Sequence, residues 1–334
     1  MKRLAALGLT CILAAVGASA NDWSSLYDSA RLAREKPRLD TRANEMFNLA
    51  IRRLLTSDES ARTAAVTVDV PLIGVHHEPL EFYSRGHVIT APVLSMLFLE
   101  DLCTAYAWLY FNGYRLETIE EYVSMLKYRG ADAFGGRYPP PLAALRIPGN
   151  ALADRRVDDL ARRLRNEALG FILAHELAHL YYRHPGNGRE VPRATSVRNE
   201  QQADNFAMEI LRRSAGIPLG ALLFFQATAY FSPNRGDARS DSEWQTFLTR
   251  ENDHPLTPDR LEAMAGFLDR NATDFARLDA GKPGAVETVR FVAGGFTKLA
   301  AFLKNPDLQK VMAAKAARSD PSSLFPRRTN TTVL

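Results

Sequence analysis

Apolar residues recur every three or four positions along most of the chain, which is the spacing of one buried helix face. Clusters of Pro and Gly interrupt this pattern and indicate where helices end. Helix is therefore the dominant predicted element. The predicted helices cover residues 22–56, 93–112, 115–129, 152–183, 196–214, 218–231, 258–270 and 284–304.

Two stretches between the first and second predicted helices have a different composition. TAAVTVDVPL (63–72) and LEFYSRGHVITAP (80–92) are rich in β-branched and aromatic residues and are bounded by Pro, so they predict a small sheet. Residues 131–150 and 231–243 are rich in Gly, Pro and polar residues and predict loops. The predicted fold class is mainly α (α+β), with a small β-sheet.

The most apolar segment after the N-terminus, residues 93–111, is long enough to be considered as a membrane span. Glu100 and Asp101 lie in its middle, where charged side chains would be costly in lipid. We therefore predict a buried helix of a globular domain, and no stable membrane span in the mature chain.

The first residues have the organisation of a secretory signal peptide. A charged start (MKR) precedes a short apolar run, and an A-x-A cleavage site ends at Ala20. Residues 1–20 are therefore a predicted signal peptide, with an uncleaved membrane anchor as the alternative. Cys103 is the one cysteine left after cleavage, so export proceeds without an intramolecular disulfide. We predict a periplasmic protein, with secretion as the alternative.

The rest of the chain is predicted to form a single domain, residues 21–310, with a polar tail over 311–334. Its predicted parts are an N-terminal helix and small sheet (21–92), a helical insertion (93–150), a core that carries the candidate site (151–270) and a C-terminal helix (284–304).

Charge does not point to a nucleic-acid partner. Loss of residues 1–20 removes Lys2 and Arg3 from the 42 basic residues and none of the 38 acidic ones, which leaves a net charge of +2. Arginine pairs are scattered and interleaved with acids, as on solvated helix faces. We therefore predict no nucleic-acid binding.

The candidate chemistry lies in FILAHELAHLYYRH, residues 171–184. His175 and His179 are four residues apart on a predicted helix, so both imidazoles can reach one metal ion. Glu176 lies beside them, where it can accept a proton from water in metal-assisted hydrolysis. The alternative is a core helix whose histidines are satisfied by hydrogen bonds.

A catalytic zinc site needs a third protein ligand. His184 is near in sequence but lies about 140° around the helix from His179, just before Pro185, so we interpret it as a residue at the helix C-terminus. RNEQQADNFAMEIL (198–211) offers Glu200 as the third ligand. Asp204, one turn later, can orient a ligating imidazole. An exposed acidic helix turn is the alternative.

HELAH followed by EQQADNFA resembles the gluzincin metallopeptidases of the M48 group, and HPLTPDRL (254–261) is similar to the His-Pro-x-x-x-x-Arg segment of that family. The resemblance covers residues 171–261. It implies a zincin-like fold, one Zn²⁺ per chain and hydrolysis of polypeptide substrates. His254 would be either an inhibitory fourth ligand or an oxyanion donor, and Arg260 would stabilise the oxyanion or the substrate backbone. Helix capping by Thr257 explains part of the same segment.

The position of the predicted strand departs from the pattern of the group. An edge strand usually comes shortly before the zinc helix, whereas the predicted strand 86–92 lies about 80 residues before His175.

The predicted function is a zinc-dependent endopeptidase acting on exported or unfolded proteins. The alternative is a periplasmic chaperone or assembly factor that keeps the zinc fold with little turnover. No sequence feature defines cleavage preference or oligomeric state.

Overall fold

The computed structural model describes residues 23–185, 191–250, 254–324 and 327–328. The predicted signal peptide, residues 1–20, lies outside the described residues. The described chain is mostly helical and contains one small sheet, which confirms the predicted mainly α (α+β) class.

The helices follow one another with short connections, and a π-helical turn, Met46–Ile51, joins the first two. They are α1 (Ser29–Glu45), α2 (Arg52–Leu54), α3 (Ser57–Arg62), α4 (Val93–Phe111), α5 (Glu117–Tyr128), α6 (Pro141–Ala144), α7 (Arg155–Tyr182), α8 (Arg193–Ser214), α9 (Leu219–Phe231), α10 (Asp241–Arg250), α11 (Pro258–Arg270), α12 (Ala272–Phe275), α13 (Ala285–Leu303) and α14 (Pro306–Arg318).

Seven of the eight predicted helices have a counterpart whose ends lie within three residues of the prediction. Helices α10 and α14 lie partly in segments predicted as a loop and as a polar tail. Helix α14 begins with Pro306, and the side chain of Asn305 accepts the N–H of Leu308. Its buried residues are few, so the hydrophobic pattern gave no helical signal there.

Within the described residues, α4 is the one helix long and apolar enough to cross a membrane, and most of it is buried inside the protein. Its two central acids are paired. The Glu100 carboxylate accepts from Arg38 Nη2 at 2.8 Å, and Asp101 accepts from the Tyr27 hydroxyl at 2.8 Å. These partners satisfy the buried charges that argued against a membrane span.

Helix α7 lies at the centre of the fold and packs against α4, α8 and α9. Helix α9 approaches it closely, because a Cβ atom at Gly220 would lie 1.9 Å from the Leu164 carbonyl oxygen. The Glu167 carboxylate of α7 accepts the Gly220 N–H at 3.0 Å and so caps the start of α9. This close packing keeps the C-terminal half of α7 buried, which is the half that carries the candidate site.

The sheet has three strands, β1 (Thr67–Asp69), β2 (Tyr83–Arg85) and β3 (Val88–Thr90), in the order β1-β3-β2. β3 pairs parallel with β1 and antiparallel with β2. The two-residue turn between β2 and β3 begins with Gly86 at φ +65°, a conformation that suits a tight hairpin. β2 and β3 pack against α7, so the sheet lies beside the candidate site despite its distance in sequence.

Candidate metal centre

The two histidines of the HELAH motif lie one above the other on α7. Their Nε2 atoms are 3.1 Å apart. His175 is 7% exposed, and the preceding residues from Ala168 onwards are buried, so this face of the helix is directed into the protein. The predicted geometry of two imidazoles that face one point is present.

Helix α8 supplies a carboxylate to the same point. Glu200 Oε2 lies 3.4 Å from His175 Nε2, and Glu200 Oε1 lies 3.3 Å from His179 Nε2. Ala203 and Ala207 are fully buried on α8, and their small side chains let α8 pack closely on α7. The alternative of an exposed acidic turn does not apply, because Glu200 is 2% exposed.

A third imidazole completes the group. His254, just before α11, has its Nδ1 atom 3.1 Å from Glu200 Oε1. The ligand atoms of His175, His179, Glu200 and His254 all lie within 4.8 Å of one another. Zinc bound at about 2.0–2.1 Å in a tetrahedron has ligand–ligand edges of about 3.3–3.4 Å, close to the four distances given above. This group could hold a metal ion.

Asp204 and Arg260 lie directly behind the ligand atoms. Asp204 Oδ1 is 3.0 Å from His175 Nδ1, on the side of the imidazole that faces away from the cluster. Arg260 donates to both Asp204 oxygens, from Nε at 2.6 Å and from Nη2 at 2.8 Å, and from Nη1 to the Pro255 carbonyl at 3.0 Å. The same Nη1 lies 3.0 Å from Glu200 Oε2. The structure thus places Arg260 among the groups that support the cluster, where it is 4% exposed.

The charges explain how the two carboxylates stay ionised. Burial by itself raises the pKa of Glu200, but the charges of His254 and Arg260 outweigh it and hold this pKa well below its usual range. Burial likewise raises the pKa of Asp204, and the charge of Arg260 brings it below the ordinary value. For His175, burial lowers the pKa, but hydrogen bonds to Asp204 and Glu200 raise it to about 10. A metal ion that binds at this imidazole must therefore displace a proton.

Glu176 is buried beside the cluster. It is 3% exposed, and its Oε2 atom has no hydrogen-bond partner among the described residues. With His175, Glu200 and His254 it lines a cavity of about 220 Å³. A carboxylate oxygen without a partner at the wall of a cavity can accept a proton from a water molecule there.

The cavity has an apolar wall formed by residues that were not predicted to belong to the site. Phe82 and Tyr83, at the start of β2, line it together with Phe171 of α7 and Phe224 of α9. A second cavity of about 380 Å³ shares His254 and other wall residues with the first. Residues 80–92 were predicted as strand, but no sequence signal placed them beside a histidine about 90 residues later.

His184 lies outside the four-residue group that the described residues form. It follows the last residue of α7 by two positions, and its Nδ1 atom is 3.0 Å from Nδ1 of His179. Its Nε2 atom is 3.1 Å from Oε1 of Gln202 on α8. Gln202 had no predicted role.

Residues 143–278 match the model of a known family, Peptidase U49. The matched segment contains the whole cluster and covers less than half of the chain. The match indicates a peptidase, without assigning it to the M48 group. Comparison with curated proteins and with solved structures gave no match.

Proposed function

We propose that this protein is a zinc-dependent endopeptidase of the gluzincin type that hydrolyses peptide bonds of unfolded or exported proteins. The observation that carries the proposal is the position of Glu176. Its buried Oε2 atom has no hydrogen-bond partner among the described residues and lies at the wall of a cavity that His175, Glu200 and His254 also line. The peptidase family match over the same residues supports it.

The donor set favours zinc. Imidazole nitrogens and one carboxylate are ligands that Zn²⁺ accepts in a four-coordinate arrangement. The group that the described residues form has three imidazoles and one carboxylate, a nitrogen-rich set that suits Ca²⁺ or Mg²⁺ poorly. We assign one zinc ion per chain to His175, His179 and Glu200. When bound, the ion supplies Lewis acidity, which makes water more acidic and polarises a carbonyl group.

The protein residues then have separate tasks. Glu176 accepts the proton of the attacking water at Oε2 and delivers it to the leaving amine. Asp204 orients the His175 ring by its charge, because its Oδ1 atom lies 3.0 Å from Nδ1 and leaves Nε2 directed to the cluster. Arg260 fixes Asp204 by a bidentate contact, and we therefore assign it a supporting role in preference to a direct contact with substrate.

His254 is proposed to be a reversible fourth ligand in the resting enzyme. His254 belongs to the four-residue group whose ligand atoms lie within 4.8 Å of one another, and its Nδ1 atom is 3.1 Å from Glu200 Oε1. This closeness supports a ligand role over that of a donor held apart from the cluster. Substrate binding would then require His254 to leave, and both adjoining cavities contact this residue.

We further propose that the substrate lies in extended conformation along β2. This strand is at the edge of the sheet, and Phe82 and Tyr83 at its start line the cavity beside Glu176. An edge strand offers unpaired backbone groups to an extended peptide, and the aromatic wall offers apolar contact to its side chains.

The predicted signal peptide supports a periplasmic or secreted location for this activity.

Metal analysis of the purified protein tests the assignment. After incubation with excess zinc and removal of the unbound metal, the wild type should hold one zinc per chain, and His175→Ala, His179→Ala or Glu200→Ala should lose most of it. The exposed His87 gives a matched control, since His87→Ala should retain the metal. If Glu200→Ala stays filled while His184→Ala is empty, the ligand set is wrong. Stoichiometric zinc without cleavage of any unfolded substrate would favour a binding function.

A further inference from the structure

The end of α7 turns the chain back onto one of the proposed ligands. Arg183 adopts a left-handed conformation, with φ 58°, directly after the helix. Its N–H donates to the Leu180 carbonyl at 3.3 Å, and the His184 N–H donates to the His179 carbonyl at 2.9 Å. These two bonds form a Schellman cap, in which the residue after the left-handed position packs on the last helical turn. The cap therefore brings the His184 ring against the His179 ring.

The side chains continue this contact. The rings of His179 and His184 are 5.0 Å apart between centroids and nearly perpendicular, and their Nδ1 atoms are 3.0 Å apart. On its other side His184 stacks on Tyr182, with ring planes 20° apart. Its Nε2 atom is 3.1 Å from Gln202 Oε1. Both ring nitrogens of His184 thus have a defined partner.

Hydrogen bonding then fixes where the protons lie. Above the ordinary histidine pKa of about 6.5, a neutral imidazole carries one proton on its two nitrogens. With Oε1 of the Gln202 amide facing His184 at 3.1 Å, we infer that the proton of His184 is on Nε2 and that its Nδ1 carries a lone pair. His179 Nδ1 must then be the donor across the 3.0 Å contact. The remaining nitrogen of His179, Nε2, is left with a lone pair directed at Glu200 and His175.

We propose that His184 is a positioning residue that holds His179 in the tautomer and orientation required of a metal ligand, and that Gln202 sets the tautomer of His184. This inference rests on the proposed zinc function. The two histidines of the motif then have different orienting groups, the Asp204 carboxylate for His175 and the neutral His184 imidazole for His179. Gln202 and Glu200 lie on the same helix, so α8 contributes both a ligand and part of the orienting chain.

The test uses zinc affinity, measured at pH 8 by competition with a chelator, in the full mature chain. His184→Ala should weaken zinc binding by about 10 to 100-fold, the usual scale for removal of an orienting partner. His184→Asn should restore affinity to within a few fold of the wild type, because its side-chain oxygen is as many bonds from Cα as Nδ1 and can accept from His179. His184→Gln places its amide one bond further out and should remain as weak as His184→Ala.

A merely structural role would give a different pattern, with all three variants weakened in proportion to their loss of folding stability. As a measurement that does not depend on a variant, nitrogen NMR of the zinc-loaded wild type should show a protonated Nδ1 on His179 and a protonated Nε2 on His184. The opposite tautomer of His184, or unchanged affinity in His184→Ala, would overturn the inference while the zinc function stands. A wild type that takes up no zinc would overturn the proposed function and this inference together.

Discussion

Breaking the buried pair between Arg260 and Asp204 should destabilise the protein strongly, whether or not metal is present. Both residues are at most 4% exposed, and the guanidinium contacts Asp204 through two nitrogens at 2.6 and 2.8 Å. Removing one partner of such a pair leaves an uncompensated buried charge, which costs about 3–5 kcal/mol. Arg260→Gln should lie at the upper end, because the lost guanidinium also neutralises Glu200. Asp204→Asn should lie at the lower end or below it, because Arg260 keeps Glu200 and the Pro255 carbonyl.

The assay is urea unfolding of the metal-free protein in the presence of a chelator, so that zinc binding does not contribute to the free energy of unfolding. The double variant should cost less than the sum of the two single variants, by at least about 2 kcal/mol, because it leaves no unpaired charge between these two positions. Lys304 and Glu262 give a matched surface pair, both about half exposed, whose coupling should stay below about 1 kcal/mol. A coupling between Arg260 and Asp204 as small as that of the surface pair would refute the reasoning.

His254→Ala should raise the rate at which an unstructured substrate is cleaved at matched zinc occupancy, because the variant lacks the proposed fourth ligand of the resting enzyme. A several-fold loss of turnover with zinc retained would contradict this and would instead indicate that His254 donates to the oxyanion. Asp101→Asn should flatten the dependence of stability on pH. Burial raises the pKa of Asp101 to about 6, so the folded state binds more protons than the unfolded state between about pH 4 and 6. In urea unfolding, the stability of the wild type should therefore fall by about 3 kcal/mol more than that of the variant as the pH rises through this window. Arg183→Gly should stabilise the protein by up to about 1 kcal/mol with zinc affinity unchanged, because Gly adopts positive φ without steric cost, and a loss of stability would contradict the role of the left-handed cap.

The helices and the residues of the motif could be predicted because their signals are local. The apolar spacing of three or four residues over the predicted helix 152–183 and the HELAH spacing both depend on the geometry of one helix, and α7 ends within three residues of the prediction on both sides. The EQQADNFA segment also contains Ala203 and Ala207, whose small side chains are fully buried and let α8 pack closely on α7.

The features that the sequence did not predict depend on contacts between distant segments. β2 packs on α7 although α4, α5 and α6 separate the two in sequence, and no local pattern encodes that contact. The supporting position of Arg260 depends on how α11 packs against α8, whereas the sequence provided only its spacing from His254. On an ideal helix His184 would lie about 140° around the axis from His179, but the left-handed residue before it turns the chain back towards His179.

The central claim is that Glu176 acts as the proton acceptor in zinc-dependent peptide hydrolysis. The measurement that tests it most directly is the initial rate of cleavage of an unfolded polypeptide by wild type and Glu176→Gln, both loaded with one zinc per chain as verified by metal analysis. Glutamine has nearly the same shape but does not accept a proton at neutral pH, so the rate should fall by at least about 100-fold with zinc content unchanged. Equal cleavage rates for the two proteins at equal zinc occupancy would contradict the account.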